Sequence, residues 1–343
     1  MNRKSQIVER FSSIHDLRFT IHDLRALPFH RLSLTLVCIV NTPNETTSRS
    51  QSPISTSQPL DHSQPQPLAH VAAVDPNNPP WGLPSGILTW VGSVALLYVV
   101  GIVVVLPYAL AHIKGLDAEQ VKQFLLTDKT AVFLQIFSAI PAHLLTLFIA
   151  WAVVTRFGKR PFWKTLGWSW SEGFGFWKSA GLAVGLLLVG LGVSKLIGGE
   201  PTLIDQIVEN SLASRYMLAF LAAASAPFIE ELVYRGVLYS AIHKTIGVAW
   251  AVVIVSVLFA AVHVLEYYNN VGVILVISIL SVSLTLLRAY TGKLLPCYIV
   301  HLVFNGIQAI LILIEPYLPH TAPDLEQKAP ALTMLWHTVK PLI

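Results

Sequence analysis

The sequence predicts an all-α polytopic transmembrane bundle of seven or eight spans, preceded by a disordered N-terminal extension. Three observations predict it. Of the 343 residues, 54% are hydrophobic and only 12% are Asp, Glu, Lys or Arg, about half the charge of a soluble globular chain. Mean hydropathy is +0.61. Runs free of all four charged types cover 81–113, 130–155, 179–194, 245–265, 267–287 and 294–314, and a helix crossing the hydrocarbon core needs about 20 mostly apolar residues. These runs are too long and continuous for the alternating ~10-residue strands of a membrane barrel.

The chain divides into an extension at 1–83, a transmembrane domain at 84–315 and a tail at 316–343. Residues 41–80 hold eight prolines and six serines, a composition unable to bury a core. Upstream, IHDLR occurs at 14–18 and 21–25, too short a unit for a solenoid. The run Leu32 to Val40 is about half a span and lacks a clear small-residue cleavage site. Cys38 and Cys297 are the two cysteines, which excludes a CxxC metal site or a disulfide framework. A net charge of +4 without any Lys/Arg block argues against a nucleic-acid partner.

Seven membrane segments follow Pro84, at 85–112, 130–155, 176–197, 216–241, 247–265, 270–288 and 294–314. The loops near 156–178, 242–246 and 288–293 carry Arg156, Lys159, Arg160, Lys164, Lys178, Lys244, Arg288 and Lys293, whereas those near 198–215 and 266–269 carry only Arg215. The first set is expected to be cytoplasmic. A further interfacial helix is expected in 331–343 or at Trp163 to Trp170, where three tryptophans suit a headgroup boundary. Gly181, Gly185, Gly190 and Gly192 have the small-residue spacing that permits close helix packing.

Ionisable groups inside a span cost about 2.5–3.5 kcal/mol each on insertion scales, so they persist where they pair or do chemistry. Here they gather in the last four segments. Segment four contains Glu230, Glu231 and Arg235; segment five, Phe259 and His263; segment seven, His301 and Asn305. Glu231 and Arg235 stand at i and i+4 with the acid N-terminal, the favoured order for an intrahelical pair. Glu230 is turned about 100° away from that pair and is the candidate general base. His301 and Asn305 are also i and i+4, so they share a face and can donate two hydrogen bonds to one oxygen, as an oxyanion site requires. His263 follows Phe259 by one turn. Glu230, His263, His301 and Asn305 could together activate a water against a peptide carbonyl. Glu230, His263 and His301 could equally supply three ligands to a catalytic zinc, although no HExxH is present. Counting along the segments sets Glu230 and His301 nearer the basic-loop face and His263 nearer the other. One helix must therefore start later, or tilt or kink at Pro227 or Pro296.

At these residues the sequence resembles the CPBP family of intramembrane proteases, the CAAX prenyl protease 2 (Rce1-like) and Abi group. The pattern is EExxxR, FxxxH and HxxxN on successive helices, met here by Glu230-Glu231 with Arg235, Phe259 with His263, and His301 with Asn305. Ala226-Pro227 before the glutamates and Gly236 after the arginine also look like bacterial members. The resemblance covers about 216–306. It implies an endopeptidase of membrane-embedded or lipid-modified peptides, set in the lipid bilayer, the inner membrane in a bacterium. It also implies that Glu230 and His263 activate water while His301 and Asn305 form the oxyanion site. Although such enzymes were labelled metalloproteases, it favours no tightly bound metal.

The remaining polar residues have plainer readings. His112 and His143 fit no motif and read as interfacial or inter-helix groups. Glu266 lies at a segment end and reads as a solvated loop acid, and Cys297 as a small apolar residue. Two other functions fit parts of the pattern. One is a non-proteolytic immunity or scaffolding protein of the same fold. The other is a transporter, since intramembrane Glu and His mark ion paths, although no inverted repeat with paired broken helices is evident.

Overall fold

The computed structural model describes residues 75–197, 202–314 and 317. The IHDLR pair, the Leu32–Val40 run and the tail helix expected at 331–343 lie outside the described residues. Within them the chain is an integral, multi-pass helical membrane bundle. Ten helices follow in order: α1 (Leu83–His112), α2 (Ala118–Thr127), α3 (Lys129–Thr155), α4 (Phe162–Leu166), α5 (Phe176–Ile197), α6 (Leu203–Asn210), α7 (Leu212–Ile246), α8 (Val248–Tyr267), α9 (Val271–Thr291) and α10 (Leu295–Ile314). Six of them, α1, α3, α5, α7, α9 and α10, are long and apolar enough to span a membrane; α8 carries a shorter apolar stretch, Val248–Val264. The seven expected segments thus resolve into six spans and one shorter helix, which bears His263.

Local chemistry sets the ends. Asp117 and Gln120 form a capping box on α2, and Thr202 with Asp205 forms another on α6. Asp128 accepts from the amides of Thr130 and Ala131 at the start of α3. Large apolar side chains such as Leu88, Tyr98, Ile102 and Val103 of α1 stand exposed, a face suited to lipid. Of the three tryptophans at 163–170, Trp163 and Trp170 are exposed around the short α4 and Trp168 is half-buried.

Two of the bundle's hydrophobic cores frame the helices that carry the motifs. One joins Leu186 and Leu187 of α5 to Leu280 and Leu284 of α9 and Phe304 of α10. The other packs Val233, Leu238 and Ile242 of α7 against Val255 and Phe259 of α8. The helix carrying the glutamates is thereby held from within the bundle. Of the glycine stripe, Gly190 is buried. A Cβ added at Gly181, Gly185 or Gly192 would meet nothing within 4 Å. The close approach lies instead at Gly86, where an added Cβ would stand 2.7 Å from Cβ of Ala241. Here α1 and α7 approach with only the methyl of Ala241 between their backbones.

α7 is not a uniform α-helix. Its turns at Leu221–Ser225 and Glu231–Leu238 are π-helical, closed by Ala226 N–H to Leu221 O and Tyr239 N–H to Tyr234 O. Pro227 lies between them, and a proline inside a helix supplies no N–H and crowds the preceding turn. The first wide turn sits where that disruption falls. Pro296, by contrast, is the second residue of α10, where a proline is accommodated without a kink.

The sequence assigns residues up to 83 to the extension, but 75–82 pack against the bundle. Carbonyls of this proline-rich strap accept from the basic side chains at one end: Pro79 from Lys244, Pro80 from Arg156 and Pro76 from Arg288. Proline lacks an N–H yet keeps a strong acceptor, and that explains how so poor a core-former is held. Arg288 is not a solvated loop charge as its position suggested; it belongs to α9 and is fully buried. Its guanidinium reaches Asn77, Ser240 and the carbonyl of Arg235, over the ring of Tyr239. Trp81 is buried, and its Nε1–H donates to the carbonyl of Val237 in the second π turn at 3.0 Å.

Trp81→Phe keeps the ring but orphans that buried carbonyl. It should cost about 1–3 kcal/mol, read as a lower unfolding midpoint of the detergent-solubilised protein. An unchanged midpoint would show that the strap does not brace α7.

Candidate active site

A cavity of about 240 Å³ opens between α7, α8, α9 and α10, lined among others by Glu230, Phe259, His263, His301 and Asn305. The four residues expected to do chemistry thus meet on one wall system. Glu230 follows Pro227 and closes the short α-helical stretch Ala226–Glu230 between the two π turns, a kind of irregularity common at functional sites. Its side chain is 26% exposed, against 2% for His301. Glu230 Oε2 stands 3.7 Å from His301 Nε2, too long for a direct hydrogen bond but close enough for both to reach one small group between them.

Behind this wall lies a dry polar hub. Glu231 and Arg235 are both wholly buried and pair at 3.0 Å, at the expected spacing. Arg235 also donates to the hydroxyls of Thr285 and Ser281 and to the Ser281 carbonyl, so it ties α7 to α9. The same Glu231 Oε1 accepts from His301 Nδ1 at 2.9 Å. A carboxylate only accepts, so Nδ1 carries the proton and Nε2 is the nitrogen left toward Glu230. Phe259 packs beneath Arg235, its ring centroid 4.4 Å from the guanidinium carbon, and also contacts the rings of His263 and His301.

His263 is oriented by its own helix. Its Nδ1 lies 2.8 Å from the carbonyl of Phe259; a carbonyl cannot donate, so Nδ1 bears the hydrogen and Nε2 is the accepting nitrogen. The mismatch of depth disappears in the shape of the chamber. The cavity runs from His301 past Phe259 to Glu266 and Tyr267 at the end of α8, so His263 lines its wall one turn beyond Phe259. No late start of α8 is required.

Among the described residues no three His, Cys, Asp or Glu side chains lie close enough to hold an ion. Both histidines have Nδ1 engaged, by Phe259 O and by Glu231, which leaves Nε2 of each toward the chamber.

It is at these residues that the chain matches a known family. Residues 212–307 fit the sequence model of the type II CAAX prenyl endopeptidase, Rce1-like. No curated protein and no solved structure matches the chain. The Rce1-like match begins at the first residue of α7 and ends two residues past Asn305, so all three motifs fall inside it. α1 to α6 fall outside.

Several site residues carry no motif. Gln308 lines the cavity three residues after Asn305, and Glu266 three residues after His263, spacings that keep a helical face. Glu266 is therefore a wall residue of the chamber as well as a helix-end acid. Ser281 and Thr285, the partners of Arg235, read in the sequence only as small polar residues in a span.

Removing Glu231 leaves a buried guanidinium without its anion. Glu231→Gln should therefore destabilise by about 3–5 kcal/mol, whereas replacing the pair together, as Glu231→Leu with Arg235→Met, should recover much of it. Denaturant unfolding in detergent reads both. Equal losses in the two variants would mean that the pair's own interactions, and not merely the charge left unpaired, hold the fold.

Proposed function

We propose that the protein is an intramembrane endopeptidase that hydrolyses membrane-embedded or lipid-modified peptides with a water activated by Glu230 and His263. One observation carries this reading: Glu230 and His301 face each other at 3.7 Å in a cavity that His263 and Asn305 also line. The Rce1-like match over the same residues supports it.

The chemistry follows from the free atoms. Glu230 is the exposed carboxylate of the pair, and His263 offers Nε2, so both can take protons from a water held against the wall. The water oxygen bonds to the scissile carbonyl carbon. The carbonyl oxygen becomes an oxyanion and is met by the Asn305 carboxamide and, in its protonated form, by His301 Nε2–H. The C–N bond then breaks, and the proton taken from water goes to the amine. Glu231 and Arg235 touch no substrate in this scheme; they hold His301 and the helix beneath Glu230. No step is routed through a metal.

Cleavage of a membrane peptide by the purified protein in proteoliposomes tests the proposal. Glu230→Gln should lower kcat by about 10²–10⁴-fold. Asn305→Ala should lower it by about 10²–10³-fold with little change in KM. Addition of a chelator should leave the rate unchanged. Activity of Glu230→Gln at the wild-type rate would remove Glu230 from the reaction, and absence of cleavage by the folded wild-type protein would leave a non-proteolytic role of this fold as the reading to pursue.

A further inference from the structure

Glu230, His263 and Glu266 each line two cavities. The first is the chamber that holds His301 and Asn305. The second, about 490 Å³, lies on the other side of Glu230 between α1, α3, α7 and α8, and is walled by aliphatic side chains such as Val94, Leu97 and Val262. His143 of α3 lines this second cavity. Its Nδ1 is 3.1 Å from the Ser225 hydroxyl, at the end of the first π turn and five residues before Glu230. That contact fixes the ring and leaves Nε2 for the cavity. His143 belongs to no motif and lies outside the matched segment.

The oxyanion donors line only the first cavity, so the scissile carbonyl oxygen must point there. One arm of the peptide must then lie across Glu230 in the second. An amide nitrogen leaves only once it is protonated, and its proton has to come from the one Glu230 takes from water. The one imidazole that lines the second cavity alone is suited to carry it.

Resting on the endopeptidase reading, we propose that the second cavity receives the amine side of the scissile bond, with apolar side chains, and that His143 delivers the proton to the departing nitrogen. The step balances. The water oxygen bonds to carbon and its proton goes to Glu230. That proton passes to Nε2 of His143, and from there to the nitrogen as the C–N bond breaks. Glu230 and His143 end in the states in which they began.

The test uses the full chain in proteoliposomes and two membrane peptides identical but for the scissile link, an amide in one and a thioester in the other. A thiolate leaves without a proton. His143→Gln keeps a hydrogen-bonding group for Ser225 but cannot relay a proton. It should slow the amide about 10²-fold while slowing the thioester by no more than about twofold. Glu230→Gln should slow both. Equal slowing of amide and thioester by His143→Gln would reduce His143 to a structural contact, and no slowing of the amide would remove it from the reaction; either overturns the proposal. If the wild-type protein cleaves neither peptide while remaining folded, the endopeptidase reading itself fails, and this assignment with it.

Discussion

One carboxylate oxygen organises the site. Glu231 Oε1 accepts at once from Arg235 and from His301; the second bond joins α7 to α10, and Arg235, held by the first, joins α7 to α9 through Thr285 and Ser281. Burying such a pair is expensive, since desolvating two charges costs several kcal/mol per ion and is repaid only with good geometry and further hydrogen bonds. Arg235 meets that condition, with Nε, Nη1 and Nη2 all bonded. The arrangement makes sense as positioning: Glu231 and Arg235 are wholly buried and bonded to three helices' side chains, so the groups fixed to them present a reproducible face to the chamber. Glu230, one residue away and partly exposed, sits outside the hub and keeps its carboxylate for other work.

The wide turns of α7 serve the same end. In a regular α-helix, Glu230 and Glu231 would differ by about 100° and each carbonyl would be taken by an amide four residues on. Between Leu221 and Leu238 that ladder is loosened, and two of its carbonyls find side-chain donors: Arg235 O takes Arg288 Nε, and Val237 O takes Trp81 Nε1. The helix bearing both glutamates is therefore braced from outside, by α9 and by the strap at 75–82. Gly86 allows the approach, because any side chain there would strike Ala241.

How much of this was legible in the sequence follows from which forces are local. The spans were, since twenty apolar residues in a row have few uses other than crossing lipid. So were Glu230, His263, His301 and Asn305, because an uncompensated polar group within a span is conspicuous and helical spacing says which of them share a face. The pairing of Glu231 with Arg235 followed from i,i+4 geometry alone. The bond from Glu231 to His301 did not, as it joins residues 70 apart and depends on how α7 and α10 pack. The π turns left no local trace beyond Pro227. Arg288 stood among the loop charges because basic residues near a span end are usually solvated; its acceptors, Arg235 O and Ser240 of α7 with Asn77 and Pro76 of the strap, come together only in the packed structure. Of the glycine stripe of α5, Gly190 is buried, whereas Gly181, Gly185 and Gly192 face open space.

The division between dry hub and wet wall also accounts for the order of the residues along the chain. Glu230 and Glu231 are adjacent yet have opposite environments, 26% and 0% exposed. Chemically identical side chains placed in different surroundings can hold different roles without any change of residue type. Consecutive positions on one helix are the most economical way to do this, because a single backbone rotation separates the faces while keeping both carboxylates within reach of one imidazole. His301 is that imidazole: Nδ1 belongs to the hub and Nε2 to the chamber. Any movement of Glu231 is passed through the ring to the atom facing Glu230, so the buried pair sets the distance across the site even though it lines no part of it.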